Sequence, residues 1–243
     1  MRDAGGYARE LGYGAWARWN AEVLAISPRE ILKMTANAAE PLHFIPADGR
    51  PRCRWCAAAA GDEGYLRYHD TEWGFPVGSD QRLFEKLCLE GFQSGLSWRT
   101  ILNKRPAFHT AFADFEIARV ARFGPADVER LVLDAAIVRH RGKILAAINN
   151  AQRALELIAE QGSLARYIWR FEPAVLAVPQ VLTESVESRA LSKDLKLRGW
   201  KFVGPTTMYA LMQAMGLLND HALGCVTREK VSAARQAFGM PTG

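Results

Sequence analysis

Apolar residues recur with a helical period over most of the chain after residue 53. Alternating apolar and polar runs joined by hairpin turns are missing, so the pattern predicts an all-α fold. The first predicted helix is capped by Ser79-Asp80 and carries Leu83, Phe84, Leu87 and Cys88, and a short second helix runs from Ser97 through Leu102 and stops before Pro106. The third is PADVERLVL, with Pro125 at its first position, and the fourth is Arg139–Gln161, which ends at Gly162. Further helices are predicted over Leu164–Phe171, Ser188–Leu197 and Thr206–Leu218.

The first fifty residues have a different pattern from the rest. They hold scattered helix-like pieces, such as SPREILKM, and then a turn-rich stretch, EPLHFIPADGRPR. We therefore predict an N-terminal extension over 1–50, a helical domain over 51–228 and a C-terminal tail over 229–243. The stretch that leads into the tail, VTREKVSAARQAFG, is itself helix-like.

Composition narrows the class of protein only moderately. The chain has 243 residues, 49% of them hydrophobic, and a formal net charge of +5, which permits a polyanionic partner without demonstrating one. The first residues lack the apolar core of a signal peptide, and no apolar run approaches the roughly 20 residues that span a membrane. We expect a soluble, cytoplasmic protein, in which cysteines favour metal binding over disulfides.

Ligands for a metal ion lie at both ends of the predicted domain. In NDHALGC, His221 and Cys225 are four residues apart and would share one face of a helix. Upstream, RCRWC and YHDTEWG offer further ligands, and the set Cys53, His69, His221 and Cys225 would make a closed, tetrahedral zinc site. The spacing Cys53-x-x-Cys56 is also typical of zinc sites, and the residues alone do not choose between Cys56 and His69.

Glu90 has an unusual position for a carboxylate. It projects from the same apolar stripe as Leu83 and Leu87, whereas Glu72 and Glu85 have no such position. A carboxylate there needs a partner or a pocket, and aromatic residues are frequent nearby in the sequence. Such a group would suit a flat, cationic or NH-rich ligand. The alternative is an ordinary core cluster with Glu90 half exposed at the helix end.

A helical hairpin is predicted in VERLVLDAAIVRHRGKILAAI. Backbone N–H groups of such a turn, with the start of the next helix, can hold a DNA phosphate. Arg139, His140, Arg141 and Lys143 place four potential cations at this point. An ordinary turn beside a solvated basic helix start fits the same residues equally well.

Together these segments resemble bacterial 3-methyladenine DNA glycosylase I, of the helix-hairpin-helix glycosylase superfamily. The matching stretches occur in the family's order, from Cys53 to Cys225 without a large gap. They are RCRW, YLRYHDTEWGFP, LFEKLCLEGFQSGLSW, ILNKR, DAAIVRHRGKI and LSKDLKLRGWKFVGPTTMYALMQAMGLLNDHALGC. Each is weak evidence alone, but jointly they are specific. One departure is Ala136, where the family often has glycine in the hairpin turn.

The resemblance implies a two-lobed helical fold whose N- and C-terminal segments are joined by one structural Zn²⁺. It implies zinc ligands at Cys53, His69, His221 and Cys225, which favours His69 over Cys56. It also implies a base pocket with Glu90 as the catalytic carboxylate and with Tyr65, Tyr68 and Trp98 as aromatic walls. The DNA-binding hairpin it implies involves Ile137, Arg139, Arg141 and Lys143.

The activity implied is removal of 3-methyladenine from alkylated double-stranded DNA by a monomeric glycosylase. No lysine stands where the superfamily uses one as a Schiff-base nucleophile, so we expect hydrolysis without strand cleavage. Two alternatives remain: a zinc-stapled module that binds DNA without chemistry, and a glycosylase for another alkylated base.

Overall fold

The chain is almost wholly helical in the computed structural model, which describes residues 43–174, 179 and 182–241. Two short strands, β1 (His43–Phe44) and β2 (Arg52–Cys53), precede ten α-helices in the described part. These are α1 (Glu63–Thr71), α2 (Asp80–Gln93), α3 (Trp98–Ala111), α4 (Ile117–Val120), α5 (Pro125–Leu133), α6 (Arg141–Gln161), α7 (Leu164–Trp169), α8 (Val186–Leu197), α9 (Pro205–Ala214) and α10 (Arg228–Ala237). A mostly helical fold is thus confirmed, while the helix-like pieces predicted within 1–42 lie outside the described residues.

Helix α2 is the centre of the core. Every residue from Leu83 to Phe92 is buried, so the helix is enclosed on all sides. Ser79 caps its first turn, as predicted, by accepting a hydrogen bond from the backbone N–H of Arg82. Enclosure of this kind puts polar side chains of α2 inside the molecule together with the apolar ones, which decides the character of the candidate site.

Helix α3 is longer than the sequence predicts. Ser97 caps it as expected, but the helix continues through Pro106 to Ala111 instead of stopping after Leu102. Pro106 is exposed, so the carbonyl that its missing N–H leaves free can be hydrated. Beyond it, Phe108 and Ala111 are buried in the aromatic core, and their burial outweighs the local cost of the proline.

Other helix ends differ from the prediction by a few residues. Helix α6 begins at Arg141 because His140 acts as its N-cap, accepting from the backbone N–H of Lys143 at 3.2 Å. Helix α9 ends at Ala214 because Gly216 takes a φ of +77° where the chain turns. A side chain at Gly216 would lie only 2.5 Å from the backbone of Phe75 and Pro76, so only glycine fits this approach.

Both chain ends of the described region pack into the domain. β1 pairs antiparallel with β2, with His43 opposite Cys53, so residues from 43 onward belong with the helical unit rather than with an extension. The predicted tail forms most of α10, whose Val231 is fully buried, and the ring of Phe238 then packs against that of Trp169 at 4.6 Å and a tilt of 34°. None of the helices in the described part is both long and apolar enough to cross a membrane.

Candidate functional site

The four predicted metal ligands come together although they are far apart in sequence. One ligand atom from each of Cys53, His69, His221 and Cys225 lies within 4.8 Å of the others, and all four residues are buried. Cys53 ends β2, His69 lies on α1, and His221 and Cys225 follow α9. We call these four residues the Cys-His cluster. Its position also joins the two ends of the domain, where the N–H of Val226 donates to the carbonyl of Pro51.

The spacing within the Cys-His cluster fits a tetrahedral ion. The sulfur of Cys53 is 3.4 Å from His221 Nδ1, and that of Cys225 is 3.5 Å from both His221 Nδ1 and His69 Nε2. With zinc bonds of about 2.3 Å to sulfur and about 2.0 Å to nitrogen, a tetrahedral site puts a sulfur and a nitrogen ligand about 3.5 Å apart. The donor set therefore fits Zn²⁺ both in chemistry and in size.

Both imidazoles are oriented by outer hydrogen bonds. His69 Nδ1 is 2.8 Å from a carboxylate oxygen of Asp70, and His221 Nε2 is 2.9 Å from the carbonyl oxygen of Trp73. These oxygens accept from one ring nitrogen and leave the other as a lone-pair donor toward the cluster. Asp70 is itself fixed, because the buried Arg52 donates to it at 2.8 Å. Such outer contacts are typical of metal-binding histidines.

The local backbone differs from the expectation for NDHALGC. His221 and Cys225 lie in a turn, not on a helix, where Gly224 has a φ of +83° and the N–H of Cys225 donates to the carbonyl of Ala222. The two ligands meet because the chain doubles back there, rather than because of helical spacing. On the opposite side, Gly74 allows close packing, since a side chain at this position would lie 3.1 Å from His221 Nε2.

Cys56 lies outside the Cys-His cluster. It is fully buried in the short 3₁₀ segment Arg54–Ala59, and burial raises the pKa of its thiol to about 12. The ligand atoms of Cys53, His69, His221 and Cys225 lie within 4.8 Å of one another, and Cys56 is not part of that group. The geometry thus selects His69 over Cys56 as the fourth member, an alternative that spacing leaves open.

A second cluster surrounds Glu90 and consists of Tyr68, Lys86, Glu90 and Trp98. The ammonium nitrogen of Lys86 is 2.9 Å from Glu90 Oε1. It also donates a hydrogen bond to the Tyr68 hydroxyl oxygen at 2.8 Å. It lies 3.1 Å from the ring centre of Trp98. The Lys86 and Glu90 side chains are both only 6% exposed. We call this group the Glu90 cluster.

Electrostatics within the Glu90 cluster follow from its enclosure. Burial lowers the pKa of Lys86 to about 8, even though Glu90 pulls it upward. Burial, with the nearby carboxylate of Glu90, raises the pKa of Tyr68 well above its usual value, so this side chain is a neutral phenol. The rings of Tyr68 and Trp98 are 5.2 Å apart and tilted by 43°. One carboxylate, one phenol and one indole face thus converge on a single cationic group.

Sequence reasoning missed Lys86 and Trp55. Lys86 precedes Glu90 by four residues, a spacing that places two side chains side by side on a helix and could have revealed the pair. Trp55 packs against Tyr65 at 5.3 Å and Tyr68 at 6.5 Å. The described contacts of Tyr65 are therefore with Trp55, one ring away from the Glu90 cluster.

Glu85, which the sequence pattern does not place on the apolar stripe, is nevertheless buried. Its side chain is 3% exposed and accepts from Arg105 Nε at 2.7 Å, with His109 Nε2 at 3.1 Å. Glu72 also accepts from Arg105, at 2.7 Å. The reason is again the enclosure of α2, since a helix buried on all sides needs partners for carboxylates on more than one face.

The predicted hairpin consists of α5, a turn over 134–140 and α6. Arg139 and Arg141 are exposed, and Arg141 pairs with Glu129 at 2.7 Å. Ile137 is buried. Lys143 is buried too, and its ammonium donates inward to the carbonyls of Phe92 and Ser94 at 2.9 and 2.6 Å, unlike the exposed cations of Arg139 and Arg141.

The turn tolerates alanine at position 136. Ala136 does not have a positive φ, so the absence of glycine there causes no backbone strain. Its N–H donates to Asp134 Oδ1 at 2.9 Å, and its carbonyl accepts from Lys104 Nζ at 2.9 Å. The departure from the family pattern is thus accommodated by local hydrogen bonds.

Comparison with known proteins identifies the family. The model of the methyladenine glycosylase family matches residues 55–229. The chain belongs to this family. It is 46% identical over 180 residues to DNA-3-methyladenine glycosylase 1 of Escherichia coli (strain K12). The aligned region covers 72% of this chain and 95% of that protein. With DNA-3-methyladenine glycosylase of Haemophilus influenzae it shares 41% identity over 181 residues, or 72% of this chain and 96% of the relative.

Solved structures give the same answer. This methyladenine glycosylase resembles 3-methyladenine DNA glycosylase I from Staphylococcus aureus, in a structure described as the basis of 3-methyladenine recognition, with a TM-score of 0.68 and 38% identity. The match covers 71% of this chain and 95% of the other. The family that the motifs between Cys53 and Cys225 indicate is thereby confirmed, together with its mostly helical fold.

Proposed function

We propose that this protein is a monofunctional DNA glycosylase that turns 3-methyladenine out of alkylated duplex DNA and hydrolyses its N-glycosidic bond. The observation that carries this proposal is the Glu90 cluster, in which a buried carboxylate faces the Trp98 ring and the Tyr68 phenol and already holds a cation. Methylation at N3 makes adenine cationic within DNA. A cationic, flat base that carries N–H donors matches the chemistry of this cluster.

In this mechanism Tyr68 and Trp98 contact the faces of the everted base, and Glu90 accepts hydrogen bonds from its N–H edge. The positive charge weakens the glycosidic bond, so the base leaves as a neutral molecule with little acid catalysis. Water then adds to the oxocarbenium-like sugar. Glu90 stabilises the charge on the base and the sugar, which is the role of the catalytic residue here.

We further propose that the Cys-His cluster holds one structural Zn²⁺. Cys53, His69, His221 and Cys225 complete a tetrahedral set, which leaves no coordination position for water or substrate. The ion would link β2 and α1 to the turn after α9 and so stabilise a two-lobed helical domain. In this role zinc supplies folding energy and takes no part in bond breaking.

The hairpin of α5 and α6 would bind the DNA backbone. The side-chain cations proposed for this contact are the exposed Arg139 and Arg141, of which Arg141 pairs with Glu129 in the absence of DNA, together with the backbone N–H groups at the start of α6. Lys143 would act from inside, because its ammonium holds the end of α2 at the carbonyls of Phe92 and Ser94. The net charge of +5 favours the same polyanionic partner.

One assay tests the activity directly. The protein is incubated with methylated duplex DNA, and the released bases are separated and identified. We expect release of 3-methyladenine and intact abasic strands. No release together with intact DNA binding would instead favour a binding module, and release of a different base would change the substrate.

Lys86 makes the absence of strand cleavage worth testing separately. It is a buried amine with a lowered pKa, and an amine of this kind could attack C1′ of the sugar, displace the base and, as the sugar ring opens, form a Schiff base. Its contacts are those of a base-binding cation, however, at the Glu90 carboxylate and the Trp98 face. We expect no covalent adduct with DNA in the presence of borohydride. An adduct that forms with the unchanged protein and is absent in Lys86→Met would show that Lys86 acts as the nucleophile of a lyase reaction.

A further inference from the structure

The ammonium of Lys86 satisfies the same groups that the proposed function assigns to the base. It donates to Glu90 at 2.9 Å and to Tyr68 at 2.8 Å, and it lies 3.1 Å from the centre of the Trp98 ring. These are a hydrogen bond to a carboxylate, one to a phenol, and a cation–π contact. A cationic base with N–H donors would make contacts of the same three kinds.

We infer that Lys86 is an internal competitor for the base-binding site, whose ammonium occupies the positions of a cationic base at Glu90 and Trp98 and must withdraw before such a base binds. This inference rests on the proposed function, since it assumes that the Glu90 cluster receives the base. It assigns Lys86 a role in affinity and product release, rather than in bond breaking.

A purely structural role explains the pair less well. Burying two opposite charges has a desolvation cost that their attraction often fails to offset, so a buried ion pair is weak support for stability. Lys86 and Glu90 are both 94% shielded from solvent, on a helix whose other buried side chains are apolar except for Glu85, which pairs with Arg105. An unbranched apolar residue would fill the Lys86 position without the charge. The charge of Lys86 is therefore better explained by a role in ligand binding than by one in stability.

The side chain of Lys86 is also suited to exchange. Four rotatable C–C bonds connect its ammonium group to the backbone, so the ammonium can move several ångströms while the helix stays in place. Burial lowers the pKa of Lys86 to about 8, which means that enclosure disfavours the charged form. Release of the ammonium to water recovers hydration and offsets part of the cost of displacing it.

The consequence is weaker binding of the free base. After cleavage, 3-methyladenine would have to hold the site against a cation tethered beside it. A tethered competitor acts at a high effective concentration, so it shortens the residence of a product that has lost its link to DNA. Substrate within DNA is less affected, because its backbone contacts contribute additional binding energy.

Calorimetric titration with free 3-methyladenine tests the inference. Lys86→Met removes the charge and keeps an unbranched side chain of similar length, and we expect it to bind the base about tenfold more tightly than the unchanged protein. Lys86→Gln, which keeps a polar group that can bond Glu90, guards against a folding defect and should fall between the two. Lys193→Met, on the exposed surface of α8, removes the same charge elsewhere and should bind like the unchanged protein.

Unchanged or weaker binding in both Lys86 variants would overturn the inference and make Lys86 a support for Glu90 instead. A second ligand separates charge from bulk. A permanently cationic 3,9-dialkyladenine should gain more from Lys86→Met than the neutral base does, and equal gains would also contradict charge competition. The proposed function is judged separately, by whether the unchanged protein releases 3-methyladenine from methylated DNA, so either idea can fail without the other.

Discussion

The Cys-His cluster and the Glu90 cluster begin from adjacent residues of one helix but have opposite properties. On α1, His69 faces the former and Tyr68 faces the latter, about 100° apart around the helix axis. Trp55 packs between them, 5.2 Å from the His69 ring and 6.5 Å from that of Tyr68. The same short stretch of sequence therefore supports two sites with separate chemistry.

The difference between them lies in how their polar groups are held. In the Cys-His cluster both imidazoles have outer partners, at Asp70 and at the Trp73 carbonyl, and the ligand atoms are fixed at metal-binding distances. In the Glu90 cluster one long, flexible side chain, Lys86, satisfies the carboxylate and the phenol. The first is built to be permanent, whereas the second is built so that its cation can be exchanged.

The largest effect should come from breaking the permanent site. If the Cys-His cluster holds the proposed Zn²⁺, we expect Cys225→Ala to abolish its binding and to lower the melting temperature by roughly 10 °C or more, because structural zinc contributes folding energy. Cys56→Ala is the matched control, since it also removes a buried thiol but leaves the four ligands intact. Metal analysis and thermal unfolding check both. Equal zinc content in the two variants would contradict the assignment.

Removal of the metal with a chelator tests whether the Cys-His cluster is structural. Removing zinc should lower stability before it affects bond breaking, as the four-ligand set has no open position. Excision of 3-methyladenine at a temperature well below unfolding measures this. Loss of turnover in a protein that remains fully folded would show that the ion acts in the chemistry.

The next largest effect concerns the exchangeable site. Glu90→Gln removes the charge that faces the base, and we expect excision of 3-methyladenine to fall about 100-fold, a size common for a positioned catalytic carboxylate. Glu156→Gln changes an exposed carboxylate on α6 in the same way and should have no effect. Single-turnover rates on methylated DNA give the comparison. Activity like that of the unchanged protein would remove Glu90 from the site.

The sequence predicts the Cys-His cluster better than the Glu90 cluster, and the reason is physical. Thiols and imidazoles are few in this chain, so the family motifs suffice to pick Cys53, His69, His221 and Cys225. The sequence pattern gives little reason to single out Lys86, because a lysine on a helix is usually exposed. Only the enclosure of α2, which depends on tertiary packing, turns it into a buried cation.

Helix positions were predictable for a similar reason, and their ends were less so. The cap at Ser79 and the glycine at 162 are local signals, and both define helix ends in the structure. The continuation of α3 past Pro106 depends on the burial of Phe108, which no local signal reports. The turn that holds His221 likewise follows from packing against Gly74, on a distant segment.

A smaller effect should distinguish exposed cations of the hairpin from buried ones. Arg139→Ala should weaken DNA binding severalfold and lower the salt dependence by about one ion, as expected when one phosphate contact is lost. Lys143→Met should instead lower the melting temperature, because it frees the carbonyls of Phe92 and Ser94. Binding isotherms at several salt concentrations, with thermal unfolding, separate the two. The reverse result would place Lys143 at the DNA.

The last expected effect is a pH dependence of stability above pH 8 that comes from the exchangeable site. The pKa of Lys86 is lowered by burial from 10.5 to about 8, while Glu90 raises it and Glu85 and Arg105 act from further away. Between these two values the unfolded chain binds the proton that the folded chain has lost, so stability rises with pH, by at most about 3 kcal/mol.

Below pH 8 both states hold the proton, and the burial cost of Lys86 is fully present. Denaturant unfolding of the unchanged protein and of Lys86→Met across pH 8 to 10.5 measures this contribution together with that of Tyr68 and Glu90, which both contact Lys86. We expect the unchanged protein to gain stability relative to the variant over this range, with Lys193→Met following the unchanged protein. A constant difference would mean that the ammonium is not held against a desolvation cost. The Glu90 cluster would then be as permanent as the Cys-His cluster.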